Sequence, residues 1–478
     1  MKRRIALILP LLLLLDACAR LPSHLPGGKM AQNTQISGTL AYVDGHNGVL
    51  TGTWPVSNWW TSAQLPALNT LITEALRDNP SLRVASARIL QAKAAAADQH
   101  AALLPHFSAA ASVTQEYFSR QGLHAPLNGK TITYGALNPL EMRYHLDLWG
   151  RDSDRVRAAL GEVRVHQADY AEAKLLLSTQ LAWHYLLLAG DVQRLRQLDR
   201  AEALHTSLLH LEQQRWHDGL SDARVVYLQE EARAGARQSV ADMQAAIAQQ
   251  RYILAALVGH GPDWGRDIPA EPLPTLSTIT MPRNLPLRLI AHRPDIVAAR
   301  WETEVAAQQV GAARAAFYPD VNIALFAGWN SIHLGDLFSP GNLAHALGPV
   351  ISLPIFEGGR LRAQLKEKNA LYIATEDHYR ATILGAVREI ASRLATWRQI
   401  RQKLRAQRQM IFAAEHTTAL AKSAFHSGIT DKAEAYSAQI QETEIKNQLL
   451  ALKMQNAQSW VLLHSALGGG YTSRKNPA

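Results

Sequence analysis

The chain has 478 residues, of which 47% are hydrophobic and 19% are charged. This balance excludes an intrinsically disordered chain and is typical of a protein with a large packed interior. The formal net charge is +9, but the basic residues alternate with acids along helical patterns, which is typical of solvated helix faces. We therefore expect no nucleic-acid partner.

The first residues have the pattern of a secretory signal. The segment MKRRIALILPLLLLLDACAR begins with basic residues and continues with an apolar run that is too short to span a bilayer as a helix. This pattern predicts a signal peptide over residues 1–17. Cys18, the only cysteine of the chain, follows directly, and a lone cysteine excludes intrachain disulfides.

Residues 18–60 contain many Gly, Pro, Ser and Asn and few periodic apolar positions. Such a composition predicts an extended N-terminal arm. The segment WPVSNWW at its end leads into an amphipathic helical pattern. A second helix, rich in alanine, is predicted to begin at Asn79 and Pro80 and to end near Pro105.

The pattern of the first half of the chain recurs in the second half. Three landmarks have counterparts 209 to 214 residues later: Pro105 and Pro319, Gly219 and Gly428, and Gly259 and Gly468. This spacing is too long for a solenoid repeat. It predicts one fold unit used twice, over 61–275 and 276–471, with a short tail at 472–478.

Each repeat is predicted to contain two strands of membrane-spanning length. Alternating apolar residues place them at about 106–118 and 132–149, and at about 320–331 and 344–356. Four strands cannot close a barrel, and an open sheet edge in lipid leaves backbone groups unpaired. We therefore expect several chains to share one barrel; a soluble four-stranded subdomain is the alternative.

A very long helix follows the strands in each repeat. The helical patterns run from about Gly150 to Asp218 and from about Gly358 to Ser427, which corresponds to roughly 100 Å each. No compact core needs helices of this length, so they predict a coiled-coil pair or the wall of a tube. Gly150, Gly358 and Gly359 come just after a strand, where glycine allows a sharp change of direction from strand to helix. If the strands form a barrel and the helices a tube, these glycines are the barrel-to-tunnel hinge.

Both long helices end in the same kind of interruption, WHDGLSDARVVY in the first repeat and FHSGITDKAEAY in the second. Gly219 and Gly428 are predicted to end the helices in the left-handed conformation. The oxygen-bearing side chains that follow can cap the returning helices: Ser221, Asp222, Thr430 and Asp431. Turn chemistry alone is one interpretation of these residues.

Several motifs together resemble those of the outer-membrane factors of bacterial efflux and type I secretion, the TolC/OprM family. They are LDAC around Cys18, RPDI (293–296), ARAAFYPDV (313–321), PIFEGGR (354–360) and ALGGGY (466–471). The resemblance covers the whole mature chain and is greatest to the lipidated NodT-type, MdtP-like branch. It implies a mainly α-helical, internally duplicated chain with a membrane β-barrel portion. Three chains would form a twelve-strand outer-membrane β-barrel continued by a twelve-helix periplasmic α-barrel.

The resemblance also implies function. The expected protein is a passive gated duct: the outer-membrane channel subunit of a tripartite multidrug efflux pump in a Gram-negative bacterium. Its partners would be a periplasmic adaptor protein, an inner-membrane pump and outer-membrane lipid. Cys18 would carry a covalent lipid, and Ala19 after it points to the outer membrane. Type I secretion, heavy-metal efflux and a pore-free structural coiled-coil lipoprotein are the alternatives.

The resemblance assigns two sets of residues at the helix turns. The adaptor is expected to dock on Gly219, Leu220, Ser221, Gly428, Ile429 and Thr430. A periplasmic gate is expected at Glu434, with Asp431 and Arg224 in nearby ion pairs; an ordinary solvated role for Glu434 is the alternative. The sequence has no HExxH, GxSxG or Walker motif, so we expect no catalytic residue, no metal and no cofactor beyond the lipid.

Overall fold

The computed structural model describes residues 49–121, 125–276, 278–282 and 291–473. The predicted signal peptide, most of the N-terminal arm with Cys18, and the end of the C-terminal tail lie outside the described residues.

The described chain is mainly helical. The α-helices are α1 (Pro66–Asp78), α2 (Pro80–Ala101), α3 (Arg151–His217), α4 (Ala223–Val258), α5 (Pro294–Ala315), α6 (Arg360–His426) and α7 (Lys432–Ala466). The strands are β1 (Val49–Gly52), β2 (His106–Tyr117), β3 (Thr131–Leu146), β4 (Ile279–Pro282), β5 (Asp320–Ser331) and β6 (Leu343–Ser352). The order helix, two strands, long helix and shorter helix therefore occurs twice, in α2–β2–β3–α3–α4 and in α5–β5–β6–α6–α7.

The two long helices, α3 and α6, have 67 residues each. Neither contains a proline, which would remove a backbone hydrogen bond and kink the helix. In α6 the buried positions recur every three and four residues, as at Trp397, Ile400 and Leu404, and this is the spacing of a coiled-coil seam. Within the described ranges, no helix combines the length and the apolar character needed to cross a membrane.

One compact unit contains the four-stranded sheet, in the order β2-β3-β5-β6. All neighbouring strands are antiparallel, and Gly135 of β3 faces Ser331 of β5 in the central pairing. The outer strands β2 and β6 each pair on one side only within the described residues. Large apolar side chains on these outer strands are exposed, including Phe107, Val113, Tyr117, Leu347 and Ile351. The sheet of one chain thus has two open edges and uncovered apolar surface.

Two of the observed strands are shorter than the sequence pattern predicts. β3 ends at Leu146 rather than near 149, since Asp147 instead accepts hydrogen bonds from the backbone N–H groups of Asp152 and Ser153. β6 ends at Ser352 rather than at 356, because Pro354 cannot donate to a strand ladder.

The second compact unit has an aromatic cluster that joins the N-terminal segment to the end of α7. The Trp59 ring lies 5.5 Å from the ring of Trp460 and stacks at 5.3 Å on His464. Gly468 has φ +82°, and a Cβ there would collide with the backbone oxygen of His292. The glycine run of ALGGGY is therefore required for close packing, as glycine allows both this conformation and this approach.

The RPDI motif forms a charged cluster in the same unit. Arg293 lies 2.8 Å from Asp295 and 3.0 Å from Glu389, and it also donates to the carbonyl of Ala466 at the end of α7. Through these contacts Arg293 binds the first turn of α5 to α6 and α7, which gives the motif a structural role. Nearby, burial and the charge of Asp295 raise the pKa of Glu172 to about 7.

The buried imidazole of His464 makes stability depend on pH. Burial lowers its pKa to about 4, against about 6.5 in an unfolded chain. The unfolded chain therefore binds a proton first, and stability is lost as the pH falls from about 6.5 to 4, by up to about 3 kcal/mol per chain. We expect His464→Leu to flatten the decrease in melting temperature over this range, measured by circular dichroism. His217→Leu, at an exposed histidine, is the control, and equal slopes for both variants would contradict the prediction.

Candidate functional site at the two helix turns

The turn between α3 and α4 is built by Gly219. This residue has φ +71°, which only glycine adopts without strain. The N–H of Gly219 donates to the carbonyl of Trp216 at 3.1 Å, and the N–H of Leu220 donates to Arg215 at 2.7 Å. These bonds satisfy carbonyls at the end of α3 that have no partner within the helix.

The turn between α6 and α7 repeats this geometry. Gly428 also has φ +71°. Its N–H donates to the carbonyl of Phe425 at 3.0 Å, and the N–H of Ile429 donates to Ala424 at 2.9 Å. The predicted role of both glycines as left-handed helix ends is confirmed.

The returning helices are capped by aspartates. Asp222 accepts from the N–H groups of Arg224 and Val225, and Asp431 accepts from Glu434 at 3.0 Å. The predicted capping by Ser221 and Thr430 is wrong. The Ser221 hydroxyl donates to Glu212 instead, and the buried Thr430 hydroxyl has no hydrogen-bond partner among the described residues. The aspartate is in each case the residue directly before the helix, and this position is the one whose side chain reaches the first free N–H groups.

The tips of both turns present apolar side chains to solvent. Leu220 is 71% exposed and Ile429 is 77% exposed. A Cβ built on Gly219 or Gly428 would meet no atom within 4 Å. Glycine is therefore required at these positions by the backbone conformation and not by lack of space. Both turns together give an exposed surface of backbone, small polar groups and two aliphatic side chains.

A salt bridge links the two turns of one chain. Arg215, in the last turn of α3, places Nη1 2.8 Å from the Asp431 carboxylate and 3.4 Å from Glu212. Glu212 is buried and also accepts the Ser221 hydroxyl. The hydrogen bond from the Glu434 N–H, followed by the Arg215 guanidinium, lowers the pKa of Asp431 below its ordinary value. Asp431 therefore both caps α7 and holds the second turn against the first.

The predicted gate residues do not form one cluster in the structure. Asp431 is in the inter-turn salt bridge, whereas Arg224 lies 3.8 Å from Asp222 of its own turn. The Glu434 side chain is exposed, and among the described residues it makes no ion pair. Sequence reasoning missed Arg215. The sequence does show a basic residue one helical turn before Gly219. Which neighbour its side chain contacts, however, depends on how the helices pack.

The predicted hinge glycines also have positive φ. Gly150 has φ +75°, and Gly358 and Gly359 have +57° and +88°. Each of these turns lies directly before a long helix. A Cβ at any of the three would meet no atom within 4 Å, so backbone conformation is again the reason for glycine.

Side chains fix the strand-to-helix junction beside Gly150. His145 at the end of β3 places Nδ1 2.5 Å from Asp152 and Nε2 3.1 Å from Asp320. Trp149 donates Nε1–H to the carbonyl of Pro319 and stacks on Tyr318. The first turn of α3 is thereby bound to the start of β5.

Known proteins resemble this chain in sequence and in fold over most of its length. The model of the family "Outer membrane efflux protein" matches residues 71–260 and 285–469. The Escherichia coli O157:H7 multidrug resistance outer membrane protein MdtQ is 28% identical over 482 residues, which cover 97% of each chain. MdtP of Escherichia coli K12 is 29% identical over 428 residues, or 87% of each chain. The crystal structure of the outer membrane protein VceC from Vibrio cholerae has 34% identity and a TM-score of 0.79, covering 87% of this chain and all of that one.

Removing Arg215 should loosen both turns at once. In Arg215→Ala, Asp431 loses its charge partner and the buried Glu212 loses its cation. A contact of this type contributes on the order of 1 kcal/mol, which corresponds to about fivefold faster amide hydrogen exchange. We expect faster exchange in peptides from both turns, measured by mass spectrometry.

The matched control is Arg224→Ala, which removes an arginine whose ion pair, within the described ranges, is with Asp222 of its own turn. Equal exchange at the second turn in both variants would show that Arg215 does not link the turns.

Proposed function

The chain belongs to the outer membrane efflux protein family, and from that premise we propose that it is the channel subunit of a tripartite multidrug efflux pump. The family is one of ducts rather than enzymes, and the protein is an efflux duct of the outer membrane. The proposal adds the assembly, the partners and the cargo. The observation that carries it is the four-stranded sheet with two open edges, combined with helices of 67 residues.

The open sheet edges support an oligomer, and the family resemblance makes that oligomer a homotrimer. Backbone groups in hydrocarbon must be paired, so a membrane sheet has to close on itself. The smallest single-chain barrels use about eight strands, whereas one copy of this chain contributes four. Three copies give a closed barrel of twelve strands, continued by a periplasmic tunnel of twelve helices. The exposed Phe107, Tyr117 and Leu347 side chains would then face lipid or a neighbouring chain.

The two helix turns would be the docking site for a periplasmic adaptor. Leu220 and Ile429 supply exposed aliphatic contacts, and small side chains beside them let a helical hairpin approach the backbone. Gly219, Ser221, Gly428 and Thr430 complete this surface. An inner-membrane pump would deliver cargo through the adaptor.

The gate would lie beside the docking site. The Arg215–Asp431 bridge holds the two turns of each chain together, and separating them would widen the periplasmic end. Glu434 would form a ring of three carboxylates around the opening. Such a ring attracts cations and repels anions at close range.

Relatives named for multidrug resistance favour small toxic compounds as cargo over the protein cargo of type I secretion or heavy metals. A structural coiled-coil lipoprotein without a pore would not require a sheet with exposed apolar side chains on both outer strands.

Conductance in planar bilayers tests the duct and its gate together. We expect small, long-lived openings for the wild type and openings several-fold larger for Asp431→Asn, because the amide can still cap α7 but no longer attracts Arg215. Arg237→Ala, which removes an exposed arginine that pairs with Glu202 away from the turns, is the control and should behave like the wild type. If all three proteins form folded trimers that never conduct, the proposed duct function is wrong.

Lipidation of Cys18 is tested independently by the intact mass. Wild-type protein from outer-membrane fractions should carry the added mass of the lipid groups, and Cys18→Ser should lack it. A wild-type mass that matches the unmodified chain would rule out the lipid anchor.

A further inference from the structure

The four-stranded sheet has one apolar face and one polar face. Alternate residues of a strand point to opposite faces, and the register of the strand pairs shows which residues share a face. One face, called here the apolar face, has no Asp, Glu, Lys or Arg on any of the four strands. It includes Phe107, Leu137, Met142, Leu325, Trp329 and Leu347. The polar face carries the charged side chains: Glu116, Glu141, Arg143 and Asp320. In a membrane sheet around an aqueous lumen, the apolar face is the one that contacts lipid.

The apolar face is incomplete on β3. From Leu146 to Leu137, this strand contributes apolar and aromatic side chains to the face. Beyond Leu137, toward the end of the sheet that lies away from the helices, the next residues on the face are Gly135, Thr133 and Thr131. The strands alone therefore leave a gap in the apolar surface at this end.

The β5–β6 loop, residues 332–342, fills this gap with leucines. A Cβ at Gly135 would lie 2.7 Å from Cδ2 of Leu334 and 3.8 Å from Cδ2 of Leu337, so both leucines lie over this glycine on the apolar face. Glycine inside a strand often marks such a close approach. The Phe338 ring packs edge-on against Trp329 of the same face, with ring centroids 6.0 Å apart. The loop thus folds onto the apolar face and not over the polar face.

Hydrogen bonds hold the β5–β6 loop in this conformation. The carbonyl of Asp336 accepts from the side-chain amide of Asn342 at 2.6 Å and from the N–H of Ser339 at 2.9 Å. Three large side chains of the loop nevertheless remain 60%, 45% and 68% exposed: Ile332, Leu334 and Phe338. Contact of such side chains with water is unfavourable, and a continuous exposed apolar patch marks a binding surface. The β5–β6 loop therefore presents a surface for an apolar partner.

The position of the loop favours lipid over a neighbouring chain as that partner. Gly135 and Trp329 belong to β3 and β5, the two central strands of the sheet. A neighbouring chain that pairs with the sheet would reach it through the outer strands, β2 or β6. The loop lies instead over the centre of the apolar face, where the surface of a membrane sheet meets acyl chains.

The height of the sheet also favours lipid. From Val321 to Trp329, β5 advances by eight residues, which is roughly 26 Å along the strand. At a tilt of about 40°, this length crosses only about 20 Å of the membrane, whereas the apolar band of an outer-membrane barrel is about 25 Å tall. The β5–β6 loop follows Trp329 directly and continues the apolar face in this direction, so it supplies the missing height.

We propose that the β5–β6 loop lies in the outer leaflet of the outer membrane and binds lipid acyl chains through Ile332, Leu334 and Phe338. This inference rests on the proposed function, because it needs the apolar face to contact lipid, and it adds a lipid-binding element beyond the strands. Since the lumen lies on the polar face, the loop does not close the outer mouth of the duct.

Spin labels report whether lipid or water surrounds the loop. The test label is attached at Phe338→Cys, in a Cys18→Ser background so that one thiol is present, in trimers reconstituted into vesicles of phosphatidylethanolamine and phosphatidylglycerol. Leu347→Cys on the apolar face is the lipid reference, and Asn330→Cys on the polar face beside the loop is the aqueous reference. Electron paramagnetic resonance measures collisions with oxygen and with a water-soluble nickel chelate. Heat-modifiable migration and circular dichroism establish that each variant is a folded trimer.

We expect the ratio of oxygen to nickel collisions at position 338 to match that at 347 and to exceed that at 330 by at least about fivefold, because hydrocarbon excludes the polar chelate. A ratio at 338 equal to that at 330 would place the loop in water and overturn the inference. Few collisions with either reagent at 338 would show burial against a neighbouring chain and would overturn it as well. A label at 347 that is itself in water would show that the sheet is not in the membrane, and the proposed function would fail together with the inference.

A second pair of variants tests the contact at Gly135. In Gly135→Val the added side chain takes the place of Leu334, and we expect the collision ratio at position 338 to fall about twofold because overpacking displaces the loop. Gly348→Val is the matched control, since a Cβ there meets no atom within 4 Å. Equal ratios in both glycine variants would show that the loop is not seated on the apolar face.

Discussion

The unpaired edges of the four-stranded sheet are the constraint on which the rest of the architecture depends. Hydrocarbon offers no hydrogen-bond partner, so every N–H and C=O along the outer strands needs another strand. One chain folds β2, β3, β5 and β6 into a sheet that exposes apolar side chains and leaves both edges open. Assembly with further copies, as proposed above, would pair these edges and complete the sheet.

Because the chain is internally duplicated, the same turn geometry occurs in both repeats. Gly219 and Gly428 have the same φ of +71°, and an aspartate caps the returning helix after each. Backbone conformation is dictated by local sterics, so each repeat needs glycine at the same place.

Charge, in contrast, differs between the repeats. Asp431 pairs with Arg215 of the first repeat, while Asp222 pairs with Arg224 of its own turn. α6 has arginine at four positions (398, 401, 405 and 408) where α3 has one arginine and one aspartate. The repeats share the backbone conformation of the helix turns, and side chains that differ between them supply the link between the turns.

The sequence by itself determined the two long helices, the strands and the left-handed glycines, because these follow from apolar periodicity, the absence of proline and the steric freedom of glycine. It also showed the family, through motifs read along the chain. Only the tertiary structure decided that Arg215 reaches Asp431, that Ser221 turns to Glu212 rather than capping, and that His145 bridges Asp152 and Asp320. These contacts join residues far apart in the chain or depend on the direction of a side chain around its helix, and local pattern specifies neither.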